Sequence, residues 1–142
     1  MKRRQLIAGL IAAGTLNAIA SASEKEKMYK IELKIGTQTF TADLEDNAST
    51  RELVSRLPVS FTLDDLYGRE LCYHFSKPLP AQEEVYRGYE VGEIIYWPPR
   101  RSFVIMYKQN GERFSMQTLG RIRGSLDRLP RGSNSVTITL VR

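Results

Sequence analysis

The sequence predicts a mainly β domain, a closed barrel of about eight strands with one or two short capping helices. Apolar and polar residues alternate with period two in stretch after stretch, the mark of strands with one buried face. Short turn signals rich in Gly, Asn and Asp separate these stretches, and only one segment has convincing helical spacing. A sheet of this size that closes on itself leaves no exposed edges, which favours a barrel over an open sheet.

The first β run is Ile31, Leu33 and Ile35 alternating with Lys30, Glu32 and Lys34. Gly36-Thr37 turns the chain, and Phe40, Ala42 and Leu44 complete a hairpin. The helix is predicted from about Ala48 to Leu57, with Leu53, Val54 and Leu57 on one face. Asn47 or Ser49 is its cap, and Ser49 with Glu52 has the capping-box spacing. Pro58 ends it, because proline lacks an amide proton and crowds the preceding turn.

Val59, Phe61 and Leu63 form the next strand, Asp64–Gly68 a turn, and Glu70–Phe75 a strand with Leu71, Tyr73 and Phe75 on one face. Ser76–Glu84, with Pro78 and Pro80, is an irregular loop. Ser102–Tyr107 is apolar on both faces and predicts a strand covered on both sides. Asn110-Gly111 carries the residues of a type I′ hairpin. A short helical turn is expected around Leu126–Leu129, and Val136, Ile138 and Leu140 make the last strand.

Residues 1–22 have the form of an export signal, with basic Lys2-Arg3-Arg4, an apolar run from Leu6 to Ile19, and overlapping small-residue cleavage sites at Ala18–Ala22. The run is too short and too interrupted to span a bilayer. Arg3-Arg4-Gln5-Leu6-Ile7 also fits the twin-arginine pattern, although Lys2 precedes the pair and no Lys follows the apolar residues. The organisation expected is therefore a leader at 1–22, a charged spacer at 23–27 and one barrel domain at 28–142. The mature protein is placed in the periplasm or outside the cell, with no stable membrane insertion.

The chain has 142 residues, with 21 Lys+Arg against 16 Asp+Glu and a net charge of +5. The leader holds three of the positives and no acids, so the mature chain is close to balanced. A pI near 9.5 would otherwise suggest nucleic acid, but the remaining charges are interspersed and no such partner is expected. Cys72 is the only cysteine, so no intramolecular disulfide forms, and it reads as a small buried hydrophobe.

The cadence Tyr89-x-x-Gly92-Glu93-Ile94-x-Tyr96-Trp97-Pro98-Pro99, then Phe103–Tyr107, then Leu119-Gly120-Arg121-Ile122, resembles bacterial cyclophilin-like proteins of uncharacterised function. The helix start at Asp46–Leu53 and Leu57-Pro58 agree, and the resemblance covers nearly all of Met28–Arg142. It implies a cyclophilin-like barrel. True cyclophilins isomerise prolyl bonds with an arginine beside an apolar pocket, and no arginine here aligns onto that one. Family members often carry Gly and Asn after the two prolines, whereas this corner reads Pro98-Pro99-Arg100-Arg101.

The inventory disfavours most enzymes. His74 is the sole histidine and shares a strand face with Glu70 and Cys72. Neighbours on one strand face lie ~7 Å apart, too far for a Cys–His nucleophile pair. The set lacks zinc ligands, no phosphate loop exists, and neither a metal nor a cofactor is expected. Glu83-Glu84 and Asp64-Asp65 read as solvated turn residues. The tyrosines and Trp97 between residues 73 and 107 read as barrel core rather than a stacking surface.

Trp97, Arg100 and Arg101 at the corner, and Arg121 at the barrel mouth, are the candidate binding residues, with no catalytic residue assigned. The bland account of Arg100 and Arg101 is that they guard two aggregation-prone strands. The expected function is non-enzymatic binding of a small molecule or peptide. The alternative is a peptidyl-prolyl isomerase using one arginine, with Arg121 the candidate.

Overall fold

A computed structural model describes residues 28–142. The expected leader and spacer lie outside the described residues. Nine strands and one α-helix follow in order: β1 (Met28–Ile35), β2 (Gln38–Glu45), α1 (Ala48–Ser55), β3 (Val59–Leu66), β4 (Glu70–His74), β5 (Val85–Gly88), β6 (Glu93–Trp97), β7 (Ser102–Met106), β8 (Arg113–Ile122) and β9 (Asn134–Leu140). Among the described residues no helix is long and apolar enough to cross a membrane.

Eight strands form a closed antiparallel ring in the order β2-β1-β9-β3-β4-β7-β6-β8, and β8 returns to β2 through Ala42↔Ile122, Asp43↔Arg121 and Leu44↔Gly120. The ninth, β5, stands beside the ring and pairs with the first half of β8, from Val85↔Met116 to Gly88↔Arg113. The barrel is therefore as expected, with one short strand more. Val85 and Tyr86 carried the β propensity that signals it.

The alternating residues fill the barrel. Ile31, Leu33 and Ile35 from β1, Leu63 from β3, Leu71 from β4 and Phe103 and Ile105 from β7 are all fully buried. Each such side chain contributes roughly 1.5–3 kcal/mol of transfer free energy. At one end Phe61 stacks on Tyr73 at 4.1 Å between ring centres, and Phe75 and Phe103 meet them edge-on. The interior is thus a packed core rather than an open mouth.

The helix starts two residues earlier than a Ser49 cap requires. Asn47 is the cap: its side chain accepts from the Thr50 N–H at 2.9 Å, and the Thr50 hydroxyl accepts from the Asn47 N–H at 2.9 Å. Ser49, already inside the first turn, donates instead to the Pro80 carbonyl, so the Ser49–Glu52 box does not form. Asn47 also donates from Nδ2 to the Thr118 carbonyl at 3.0 Å, fastening the helix to β8. Asn47→Ala is expected to cost about 1–2 kcal/mol, read from a urea midpoint, because a buried cap and a cross-link are lost together.

Three local readings differ. Asp64, Asp65 and Leu66 extend β3, and the turn falls on Tyr67-Gly68, where Tyr67 has φ +59° and Gly68 φ +57°. Leu126–Leu129 is a single turn closed by the Leu129 N–H on the Leu126 carbonyl, not a helix. Asn110-Gly111 is not a hairpin, because β4 and β6 already occupy both edges of β7. The chain must cross β6 to reach its far edge as β8, and a two-residue turn cannot make that crossing. Tyr89 pins this crossover: its hydroxyl donates to the Lys108 carbonyl at 2.7 Å and accepts from the Asn110 N–H at 2.8 Å.

Candidate functional site

β7 is buried on both faces, as its sequence predicts. Phe103 and Ile105 point into the barrel, while Val104 and Met106 point outward into a second apolar layer with Cys72, Ile95, Tyr89 and Met116. The crossover and β8 bring Phe114 over this outer layer. The cover is incomplete, and a groove of about 430 Å³ remains on the outer wall. Its floor is Cys72, Ile95 and Val104, with Leu66 and Phe114 alongside.

The two ends of the groove differ in charge. At one end Arg69 is nearly buried and fully engaged, its guanidinium donating to Glu70 (2.8 Å from Nε) and to both oxygens of Glu112 (2.9 and 3.0 Å). The Arg69 guanidinium also lies 5.3 to 5.9 Å from the ring centres of Tyr67, Phe114 and Tyr89. Burial disfavours its charge, but the two carboxylates outweigh that and raise its pKa further. No sequence period signals this cluster, because its members come from β4, the crossover and separate turns.

The other end is built by the corner after β6. Pro98–Arg100 make one 3₁₀ turn, and Arg101 sits in the left-handed region at φ +53°, its N–H bonded to the Pro98 carbonyl. This geometry separates the two arginines. Arg101 turns back onto the barrel end, donating from Nε to the Phe75 carbonyl at 2.7 Å, and does not border the groove. Arg100 and Trp97 do border it, with His74 and Ser102. The expected site is therefore half assembled: Trp97 and Arg100 converge, Arg101 is a structural tie.

His74 lies on the outer face of β4 with Cys72, as its alternation indicates. Its Nδ1 lies 3.1 Å from the Arg100 carbonyl and 2.8 Å from Ser102 Oγ. The carbonyl only accepts, so it is the Nδ1-protonated tautomer of His74 that bonds it. Burial pushes the Cys72 thiol up to about 11, with the Ser102 hydroxyl pulling the other way. A thiol held so high is a poor nucleophile at neutral pH. Among the described residues no three His, Cys, Asp or Glu side chains gather as a metal site.

Arg121 is elsewhere. It lies on the exterior of β8, half exposed, paired with Glu90, and borders a separate polar surface depression. It does not face the interior: its β8 neighbours Leu119 and Ile122 are the ones that point inward. Beside it Arg87 grips Glu93 through two bonds of 2.9 and 2.7 Å and also donates to Thr118 Oγ1 at 2.8 Å. Burial alone would raise the Glu93 carboxyl, but Arg87, the Glu90 N–H and Arg121 together hold it below the usual carboxylate range. This network fastens β5 to β6 and β8.

A sequence profile of the Cyclophilin-like family matches residues 33–141. No curated protein matches the chain. Among solved structures, a hypothetical protein from Archaeoglobus fulgidus, determined in solution, superposes with a TM-score of 0.65 at 16% identity, over 82% of this chain and 98% of that one. That likeness is one of fold. Barrel order, core and profile agree, and the chain belongs to the cyclophilin-like family.

Proposed function

We propose that this protein is an exported, non-enzymatic binding module whose ligand, a small molecule or peptide, lies in the outer-wall groove. The observation that carries the reading is the incompletely covered second apolar layer over β7. A cavity of about 430 Å³ with an apolar floor and polar groups at its ends has the size and make-up of a ligand pocket. The groove's one thiol, Cys72, is held protonated and is a poor nucleophile there.

The chain contains a single tryptophan, and Trp97 borders the groove, so its emission reports occupancy. Titration with anilinonaphthalene sulfonate is expected to show energy transfer from Trp97 and amide shifts at Cys72, Ile95 and Val104. Val104→Phe, which extends a ring from the floor, should weaken the dye at least about tenfold. Dye binding with shifts confined to other surfaces, or no binding, would remove the groove as the site.

A second reading, a peptidyl-prolyl isomerase, rests on Arg69 and Arg100 bordering the same apolar floor. The arginine would then be one of these two rather than Arg121. Isomerisation of a short proline peptide at the uncatalysed rate eliminates it; catalysis lost in Arg100→Ala establishes it.

A further inference from the structure

We infer that the groove takes a small carboxylic acid with an apolar body, its carboxylate seated on Arg100 and Trp97 and its body lying over Cys72, Ile95 and Val104. The inference rests on the groove being the binding site and adds the chemistry of its ligand.

The first ground is the contrast between the two cationic ends. Arg69 is neutralised by Glu70 and Glu112, and a ligand anion there must displace a carboxylate already in place. Arg100 has no ion pair and no side-chain hydrogen bond among the described residues. The indole N–H of Trp97, at the same end, has no partner among them either. A guanidinium and an N–H beside an apolar floor match a carboxylate, which accepts at both oxygens.

The second ground is the position of Arg100. Its carbonyl is anchored by His74 Nδ1, and its left-handed successor Arg101 is tied to Phe75, so the backbone carrying Arg100 is held at both sides. Arg100 is near enough to the floor for its charge to be felt at the Cys72 sulfur. With the backbone already anchored, the ordering cost of binding is confined to the Arg100 side chain.

A peptide added as a further strand is excluded. The wall strands β4, β6 and β7 are each bonded on both edges, so the floor offers no free main-chain ladder. A peptide bound by strand addition needs such an edge. A compact acid needs only the floor and the two end donors. The remaining source of the same chemistry, a peptide's C-terminal carboxylate, is separated by experiment.

The test compares 4-phenylbutyrate with 4-phenyl-1-butanol, which have the same body and differ in the charged head, using Trp97 emission and amide shifts. The acid should bind about tenfold or more tightly than the alcohol. In Arg100→Gln that preference should fall below about threefold, with the alcohol's affinity and the melting temperature unchanged. Equal affinity of acid and alcohol in the wild type overturns the carboxylate and leaves the groove standing. Binding of neither at millimolar concentration removes the groove itself. A preference for the acid that survives Arg100→Gln overturns the assigned residue. A free-acid tripeptide ending in Phe that binds more tightly than 4-phenylbutyrate overturns the small-molecule assignment in favour of a peptide terminus.

Discussion

Gly120→Ala is expected to leave the domain unfolded or destabilised by about 3 kcal/mol or more, the upper end of what overpacking costs. Gly120 lies at the seam where β8 meets β2, opposite Leu44. A Cβ added there would sit 2.0 Å from the Asp43 carbonyl oxygen and 2.8 Å from the Leu44 Cα. Both are backbone atoms of the facing strand, so no side chain can swing aside, and the seam itself must part. Three ladder pairs and the Arg123 N–H on the Thr41 carbonyl hold that seam, and parting them opens the barrel. Gly88→Ala is the control. A Cβ at Gly88 meets nothing nearer than 3.9 Å, so that variant should stay within about 1 kcal/mol of the wild type. Urea unfolding followed by far-ultraviolet circular dichroism reads both, and a Gly120→Ala midpoint equal to the Gly88→Ala midpoint would disprove this account of the seam.

Arg69→Ala is the second large effect, about 3–5 kcal/mol, because it strands a buried carboxylate. The Arg69 side chain is 11% exposed and Glu70 9%, so a Glu70 carboxylate left alone would be a largely desolvated charge. Loss of the guanidinium also uncovers the faces of Tyr67, Tyr89 and Phe114, and frees Glu112 at the crossover. The identity of the penalty is testable. If it is the orphaned charge, Glu70→Gln added to Arg69→Met should restore most of the lost stability, since neutral partners of similar size replace both ions. A double variant no more stable than Arg69→Ala would locate the cost in packing instead. The same experiment separates Arg69 from Arg100, whose replacement touches no buried partner and should leave the melt unchanged.

The fold was largely legible because a barrel wall writes itself into sequence. Ile31-Leu33-Ile35, Val59-Phe61-Leu63 and Val136-Ile138-Leu140 each expose one face to the core, and period two survives in every one. Ser102–Met106 announced its double burial by lacking any polar alternation. What failed was local chemistry overruled by topology. Asn110-Gly111 has hairpin residues, yet the edges of β7 were already taken, which no short window of sequence reveals. The site was half legible for a related reason. Trp97 and Arg100 stood out as an exposed cation beside an aromatic at a proline corner. Adjacent numbering also brought in Arg101, and only the left-handed backbone at that residue shows that the pair diverges. Phe114 comes from β8 to cover Arg69, beside β4, and the layer that holds Cys72 of β4 on the outside of the wall. The sequence signal for that second layer lay in Ile95 of β6 and Val104 and Met106 of β7, apolar where a barrel exterior is ordinarily polar.

The place of β9 in the ring carries a consequence for the life of the chain. Residues 134–140 do not sit at an edge; they insert between β1 and β3, pairing Leu33↔Ile138 on one side and Val59↔Ile138 on the other. Before they are synthesised, β1 and β3, both made long before, have no partner between them. Hairpins and the helix can form on the ribosome, but the ring cannot. Closure of the barrel therefore waits for β9, and the interval between early strands and the strand that joins them is when its unpaired backbone is open to a chaperone or to another copy of itself.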